Sequence, residues 1–272
     1  IAAALTWPHL KSLQERSEPD SDAPGTVWWA VAAVAGAPAL LQLAGQGLGY
    51  WSLLAAAAGL AALGLGVPKV LPPRARVLRN GLGPIIASRA VQTGAFYAGE
   101  AFLLLGLQNL KGLDTLQAGL ALTIGSLGWS FGSWLQARIR LRRDRIITAG
   151  TCFVALGMVG ITVFLTWVGV PLWIGVAAWT LAGCGMGLTV SSTAVATMAL
   201  SGPREQGRNS GALLVAESIG SSVMTALTGA CYAVLLAEGV PAFGWIFFML
   251  LAASVLAITA SLRIGPVHDV AG

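Results

Sequence analysis

The sequence predicts an all-α integral membrane protein, and three observations predict it. Apolar segments recur at roughly 26–45, 48–67, 84–108, 115–137, 147–168, 171–199, 209–236 and 241–263, each near the ~20 residues that cross the hydrocarbon core of a bilayer. Only 10% of the residues are charged and 56% are hydrophobic, with a mean hydropathy of +0.77; a soluble domain carries about a quarter charged residues. Fourteen of the 16 Lys and Arg residues fall in alternate gaps between the apolar segments. Those gaps face the cytoplasm by the positive-inside rule, which predicts eight spans in a multi-pass protein of the cell membrane, with both ends of the array cytoplasmic.

Taken in order, residues 1–10 are largely apolar and read as the tail of an upstream transmembrane helix, with further spans expected before it. Residues 11–25 (KSLQERSEPDSDAPG) are polar and rich in Pro, Ser and acids, a cytoplasmic linker. Residues 26–67 hold two spans joined by a few residues, an antiparallel hairpin with Pro38 in its first arm. A basic cytoplasmic linker is expected over 68–83, six further spans over 84–263 and a cytoplasmic tail over 264–272. Trp28, Trp29, Trp51, Trp134, Trp173 and Trp245 fall near span ends, at the headgroup level that amphipathic rings prefer.

Composition also excludes several functions. The basic residues are dispersed over five gaps instead of gathered on one face, so nucleic acid is not an expected partner. Cys152, Cys184 and Cys231 sit inside spans and read as small hydrophobes. His9 and His268 lie in the end segments, which leaves no His-based metal or catalytic centre within the spans. No cofactor and no enzyme activity is expected, because no nucleophile, base and orienting group converge. The run GCGMG at 183–187 follows no strand, and with Gly128 and Gly132 it reads as close helix packing in place of a phosphate loop.

Three ionisable side chains fall inside spans: Arg89, Glu100 and Glu217. Each is costly against lipid, so each is expected to face a bundle interior or a cavity. Glu100 lies a little past the middle of its span on too short a stem to reach water. A carboxyl at that depth is suited to bind and release a proton; its alternative is a structural hydrogen bond to a neighbouring helix. Arg89 stands eleven residues earlier, on nearly the same face and ~16 Å away by helical rise. It either shares a cavity with Glu100 or snorkels to the cytoplasmic end. Gln92 and Tyr97 share or flank that stripe, and Trp129 and Ser192 are further candidate cavity walls. Trp129 and Trp179, inside their spans, fit packing as well as a lining role. Glu217 is expected to pair with a basic residue of the cytoplasmic loops and hold one conformation, with substrate contact as the alternative. In the run GSWLQARIRLRRDR, Arg138, Arg142 and Arg143 either serve topology alone or pair with acids in one conformational state.

The stretches LDTLQAGLALTIGSLGWSFGSWLQARIRLRRDR and LAGCGMGLTVSSTAVATMAL, the latter followed by PREQGRNSGALLVAESIGSSV, resemble the major facilitator superfamily, in particular its fourteen-helix drug/proton antiporter branch. Leu116 to Gly119 resemble the entry to the helix after an outer loop. Gly132 to Arg143 resemble a degenerate copy of its Gly- and Arg-rich cytoplasmic loop motif, with Arg140 and Leu141 where Asp and Gly commonly stand. The resemblance implies a major-facilitator-like bundle: an inserted two-helix hairpin followed by the six-helix C-terminal half, which would act with an N-terminal half. It implies secondary active transport of small lipophilic or drug-like molecules, driven by protons, with Glu100 as the coupling acid and Arg89 and Glu217 as supporting charges. A dedicated exporter of one natural product, lipid precursor or siderophore fits the same residues, and so does a fragment that transports nothing.

Overall fold

The computed structural model describes residues 28–44, 49–70 and 80–267. The tail and linker expected over 1–25, Arg74, Arg76, Arg79, His9 and His268 lie outside the described residues. Eight helices and no strand are found among those described: α1 (Trp28–Ala44), α2 (Tyr50–Val70), α3 (Leu82–Asn109), α4 (Thr115–Arg138), α5 (Arg143–Thr166), α6 (Leu172–Ala199), α7 (Gln206–Ala237) and α8 (Ala242–Ser261). α1 continues through Pro38. α2 runs on to Val70, past the expected start of the second linker.

Six of these helices, α2, α3, α5, α6, α7 and α8, are long and apolar enough to cross a membrane. The other two expected spans, at 26–45 and 115–137, also coincide with helices, α1 and α4. The described part of α1 has 17 residues, and α4 intersperses Gln117, Ser126, Ser130 and Ser133 among its apolar residues. Of these, Gln117 belongs to the α4 cap, Ser133 donates to Gly187 O at 3.5 Å and Ser126 lines the site described below.

Local sequence sets the helix ends. Asp114 caps α4 by accepting from the Gln117 N–H at 2.8 Å, while the Gln117 side chain accepts from the Asp114 N–H at 3.2 Å, a reciprocal capping box. The turns into α6 and α8 share one device: Gly169 (φ 86°) and Gly239 (φ 68°) take the left-handed conformation that glycine adopts without penalty. Pro171 and Pro241 follow as N-caps. On the opposite, Arg-rich end, the residues after α8 fold back. Ile264 O accepts from the Gly81 N–H at 2.9 Å and Val267 O from the Arg143 N–H at 3.0 Å. Ile264 and Val267 are buried with Ile85, Ile147 and Leu213. The first residues of the expected tail are thus packed against the starts of α3 and α5.

The six-helix part has a self-similar pairing pattern. α4 packs on α6 as α7 packs on α3, α5 on α6 as α8 on α3, and α3–α6 and α5–α8 pair across the middle. Exchanging α3–α5 with α6–α8 maps these pairs onto one another. Glycine makes the two matching crossings close. A Cβ on Gly128 would collide with Thr180 O, on Gly132 with Cys184 O, on Gly187 with Trp129 O, and, at the other crossing, on Gly220 with Ala90 O. The glycines at 183–187 thus serve packing. Where lipid is as apolar as the side chains, association depends on such close approach. α1 and α2 pack on each other, and α1 rests against α7.

The crossings yield a stability prediction. Gly220→Ala and Gly128→Ala each place a methyl against a backbone carbonyl that cannot rotate away. Each is expected to cost about 1–3 kcal/mol and to lower the unfolding temperature of the purified protein by several degrees. Gly119→Ala, with open space around it, serves as the control and should leave that temperature unchanged.

Candidate functional site

Polar residues concentrate on the middle of α3, where Ser88, Arg89, Gln92 and Thr93 are all buried. Arg89, 4% exposed, does not snorkel to the helix end. Its Nη2 donates to Glu217 Oε2 at 2.6 Å and its Nε to the same oxygen at 3.1 Å. Its Nη1 donates to Val190 O and to Thr193 Oγ1, each at 2.7 Å. One guanidinium therefore ties α3 to both α6 and α7. A planar, forked donor suits this task, since it divides its N–H groups between a carboxylate and two neutral acceptors.

Glu217 was expected to pair with a cytoplasmic-loop cation, and the structure corrects that partner to Arg89. The cause is the Gly220–Ala90 crossing. It draws α7 against α3 one turn from Glu217 and one residue from Arg89, within reach of both side chains. Arg208 instead pairs with Glu205, three residues away, at 3.1 Å. The other Glu217 oxygen, Oε1, accepts from the Tyr97 hydroxyl at 3.4 Å.

Glu100 occupies a separate chamber of about 190 Å³ between α3, α4 and α6, lined also by Phe96, Tyr97, Gly125, Ser126, Trp129 and Trp179. Phe96 stacks on Trp179 with ring centroids 4.5 Å apart and meets Trp129 edge-on at 5.6 Å. The Tyr97 ring lies 6.4 Å from Trp129. Among the described residues no hydrogen-bond or ion-pair partner of the Glu100 carboxyl is found. The alternative of a structural hydrogen bond to a neighbouring helix is thus not what this conformation holds. Tyr97 joins the two sites: its ring is a wall of the Glu100 chamber and its hydroxyl is on Glu217.

Of the other expected wall residues, Trp129 lines the chamber and two do not. Gln92 is buried against α6, donating to Thr189 Oγ1 at 3.1 Å. Ser192 is fully buried, and neither it nor Gln92 reaches the chamber. Among the described residues, Gln92 Oε1 and Ser192 Oγ have no hydrogen-bond partner. Phe96 and Trp179 complete the aromatic wall. Phe96 could have been found four residues before Glu100, a spacing that puts both on one helix face.

In the loop before α5, Arg142 forms a two-pronged pair with Asp144, Nη2 to Oδ2 at 2.9 Å and Nε to Oδ1 at 3.1 Å. Asp144 Oδ1 also accepts from the Val267 N–H at 3.1 Å. Arg143 Nη1 donates to Gln136 Oε1 at 2.6 Å, and the Arg138 guanidinium lies 4.4 Å from the Trp134 ring centroid. Among the described residues the acid Arg142 meets is thus two residues away in the first turn of α5, and that acid holds the segment after α8.

No protein-family model matches the chain, and no curated protein is significantly similar to it.

The buried tie gives a testable consequence. Removing one partner of such a pair strands the other charge in a low-dielectric site and costs 3–5 kcal/mol. Because the Glu217 side chain is 20% exposed, Arg89→Gln is expected near the lower end, about 3 kcal/mol. The double variant Arg89→Gln/Glu217→Gln, which strands no charge, should recover a large part of that loss. Equilibrium unfolding in mixed micelles, analysed as a double-mutant cycle, measures both.

Proposed function

We propose that the chain forms part of a proton-coupled secondary transporter of the major facilitator type, moving small lipophilic or drug-like molecules across the cell membrane by alternating access. The observation that carries this reading is Glu100, a carboxyl lining the aromatic chamber with no partner among the described residues, within a bundle of membrane-spanning length. A carboxyl with no partner in one conformation is free to exchange a proton, and protonation can then favour one access state over another. Coupling requires such a difference in affinity between states.

Three further features support it. The self-similar pairing of α3–α5 with α6–α8 is the kind of internal repetition on which alternating-access transporters are built. The Arg89–Glu217 tie joins α3, α6 and α7, so a change in one of these helices is felt by the others. The Arg142–Asp144 pair and the docked residues Ile264 and Val267 link α5 and α3 at the Arg-rich end, which this reading places in the cytoplasm. In this reading Glu100 binds the proton, and the chamber walls Tyr97, Trp129, Phe96 and Trp179 contact the apolar part of the substrate. Arg138, Arg142 and Arg143 belong to a loop that closes the cytoplasmic side. The other half of the transporter would face α4 and α7, whose Leu127, Phe131, Leu214 and Leu227 are exposed.

The test is uptake of a fluorescent lipophilic cation into inverted vesicles carrying the full-length protein, with and without an imposed pH gradient. Uptake is expected to follow the gradient in the wild type and to lose that dependence in Glu100→Gln, with insertion into the membrane unchanged. Uptake that ignores the gradient, or that survives the substitution undiminished, would remove Glu100 from the coupling step.

A further inference from the structure

We propose that the groove between α5 and α8, at the end of the bundle opposite the Arg-rich loops, binds the headgroup phosphate of an anionic phospholipid, with Lys111 as its recognising cation. The groove encloses about 1020 Å³. Thr166 and Trp167 form one side and Trp245 and Phe248 the other, with Leu110 and Lys111 at its rim. Trp167, Trp245 and Phe248 are 66%, 58% and 62% exposed. Two open indoles beside an apolar cleft match the headgroup zone of a bilayer, where Trp is favoured.

Lys111 is what gives the groove a preference. It is the sole Lys or Arg in the four gaps at this end, 46–47, 109–114, 169–170 and 237–240, so topology does not account for it. Gly112, at φ 66°, turns the chain immediately after it. Its ammonium lies 4.5 Å from the centroid of the Phe164 ring, beside the groove instead of extended into water. A ring face attracts the ammonium without neutralising it, and among the described residues Lys111 has no ion pair. The acids of this end do not line the groove: Asp114 is occupied in the α4 cap, and Glu238 lies at the end of α7.

The combination selects one occupant. A dissolved anion would satisfy Lys111 and leave Trp245 and Phe248 uncovered. A zwitterionic lipid would cover them while bringing its own cation towards Lys111. An anionic phospholipid places its phosphate on the ammonium and an acyl chain along Thr162, Leu165 and Phe248. This site is independent of the transport reading and of Glu100.

The experiment is photolabelling of the full-length protein in nanodiscs by phosphatidylglycerol carrying a photoreactive acyl chain, read by peptide mapping of residues 162–170 and 241–248. Labelling there is expected to fall about fivefold in Lys111→Gln, the equivalent of the ~1 kcal/mol that one cation contributes near anionic lipid. Lys111→Arg should retain it, and unlabelled phosphatidylglycerol should compete where phosphatidylcholine does not. Labelling unchanged in Lys111→Gln, or equal competition by phosphatidylcholine, would show ordinary annular lipid and overturn the site. Competition by inorganic phosphate alone would overturn it too, by showing that the groove recognises a free anion.

Discussion

The close crossing of α3 and α7 is the constraint on which the arrangement of the polar interior depends. Gly220 lies directly against the carbonyl of Ala90, and no other residue type would fit at that separation. Everything polar nearby follows from it. Glu217 precedes Gly220 by one turn and Arg89 precedes Ala90 by one residue, so the crossing itself brings acid and base together. Arg89 then reaches α6 through Val190 O and Thr193 Oγ1. A side chain one carbon larger at Gly220 would spread α3 from α7 and lengthen the bonds of Arg89 and Tyr97 to Glu217.

The same geometry explains why the in-membrane charges divide into two kinds. Arg89 and Glu217 neutralise each other, and their remaining hydrogen-bonding capacity is met by Tyr97, Val190 and Thr193. A satisfied network of this type holds one arrangement of helices and costs heavily when half of it is removed. Glu100 shares its chamber with the rings of Phe96, Tyr97, Trp129 and Trp179 and, among the described residues, has no hydrogen-bond or ion-pair partner. Rings exclude water without answering the carboxyl's need for a donor.

Much of this was legible from residue order alone, for identifiable reasons. Apolar runs and Arg-rich gaps report span positions locally, and charges inside a span are conspicuous because lipid penalises them. That is why Arg89, Glu100 and Glu217 could be named, and why the four-residue glycine spacing in α4 and α6 pointed to packing. The partner of Glu217 was not legible, because Arg89 is 128 residues distant and only the Gly220 crossing joins them. Nor was the separation of Gln92 from the chamber: a stripe on α3 shows which residues share a face, and not whether a neighbouring helix covers it. Nor was the place of Ser126 in the chamber wall, which depends on how α4 is turned against α3 and α6.

Tyr97 bears on how the two kinds of charge communicate. Its ring and its hydroxyl serve different sites, the ring facing Glu100 with Trp129 and the hydroxyl reaching Glu217 Oε1. The two ends of a phenol are rigidly joined, so the ring and the hydroxyl move together. At 3.4 Å that hydrogen bond is already long, so a small rotation removes it. Glu217 then keeps Arg89 and loses its third donor, which weakens the tie of α3 to α7 without breaking it. Tyr97 is thus the one side chain that both lines the Glu100 chamber and hydrogen-bonds to the Arg89–Glu217 pair among the described residues.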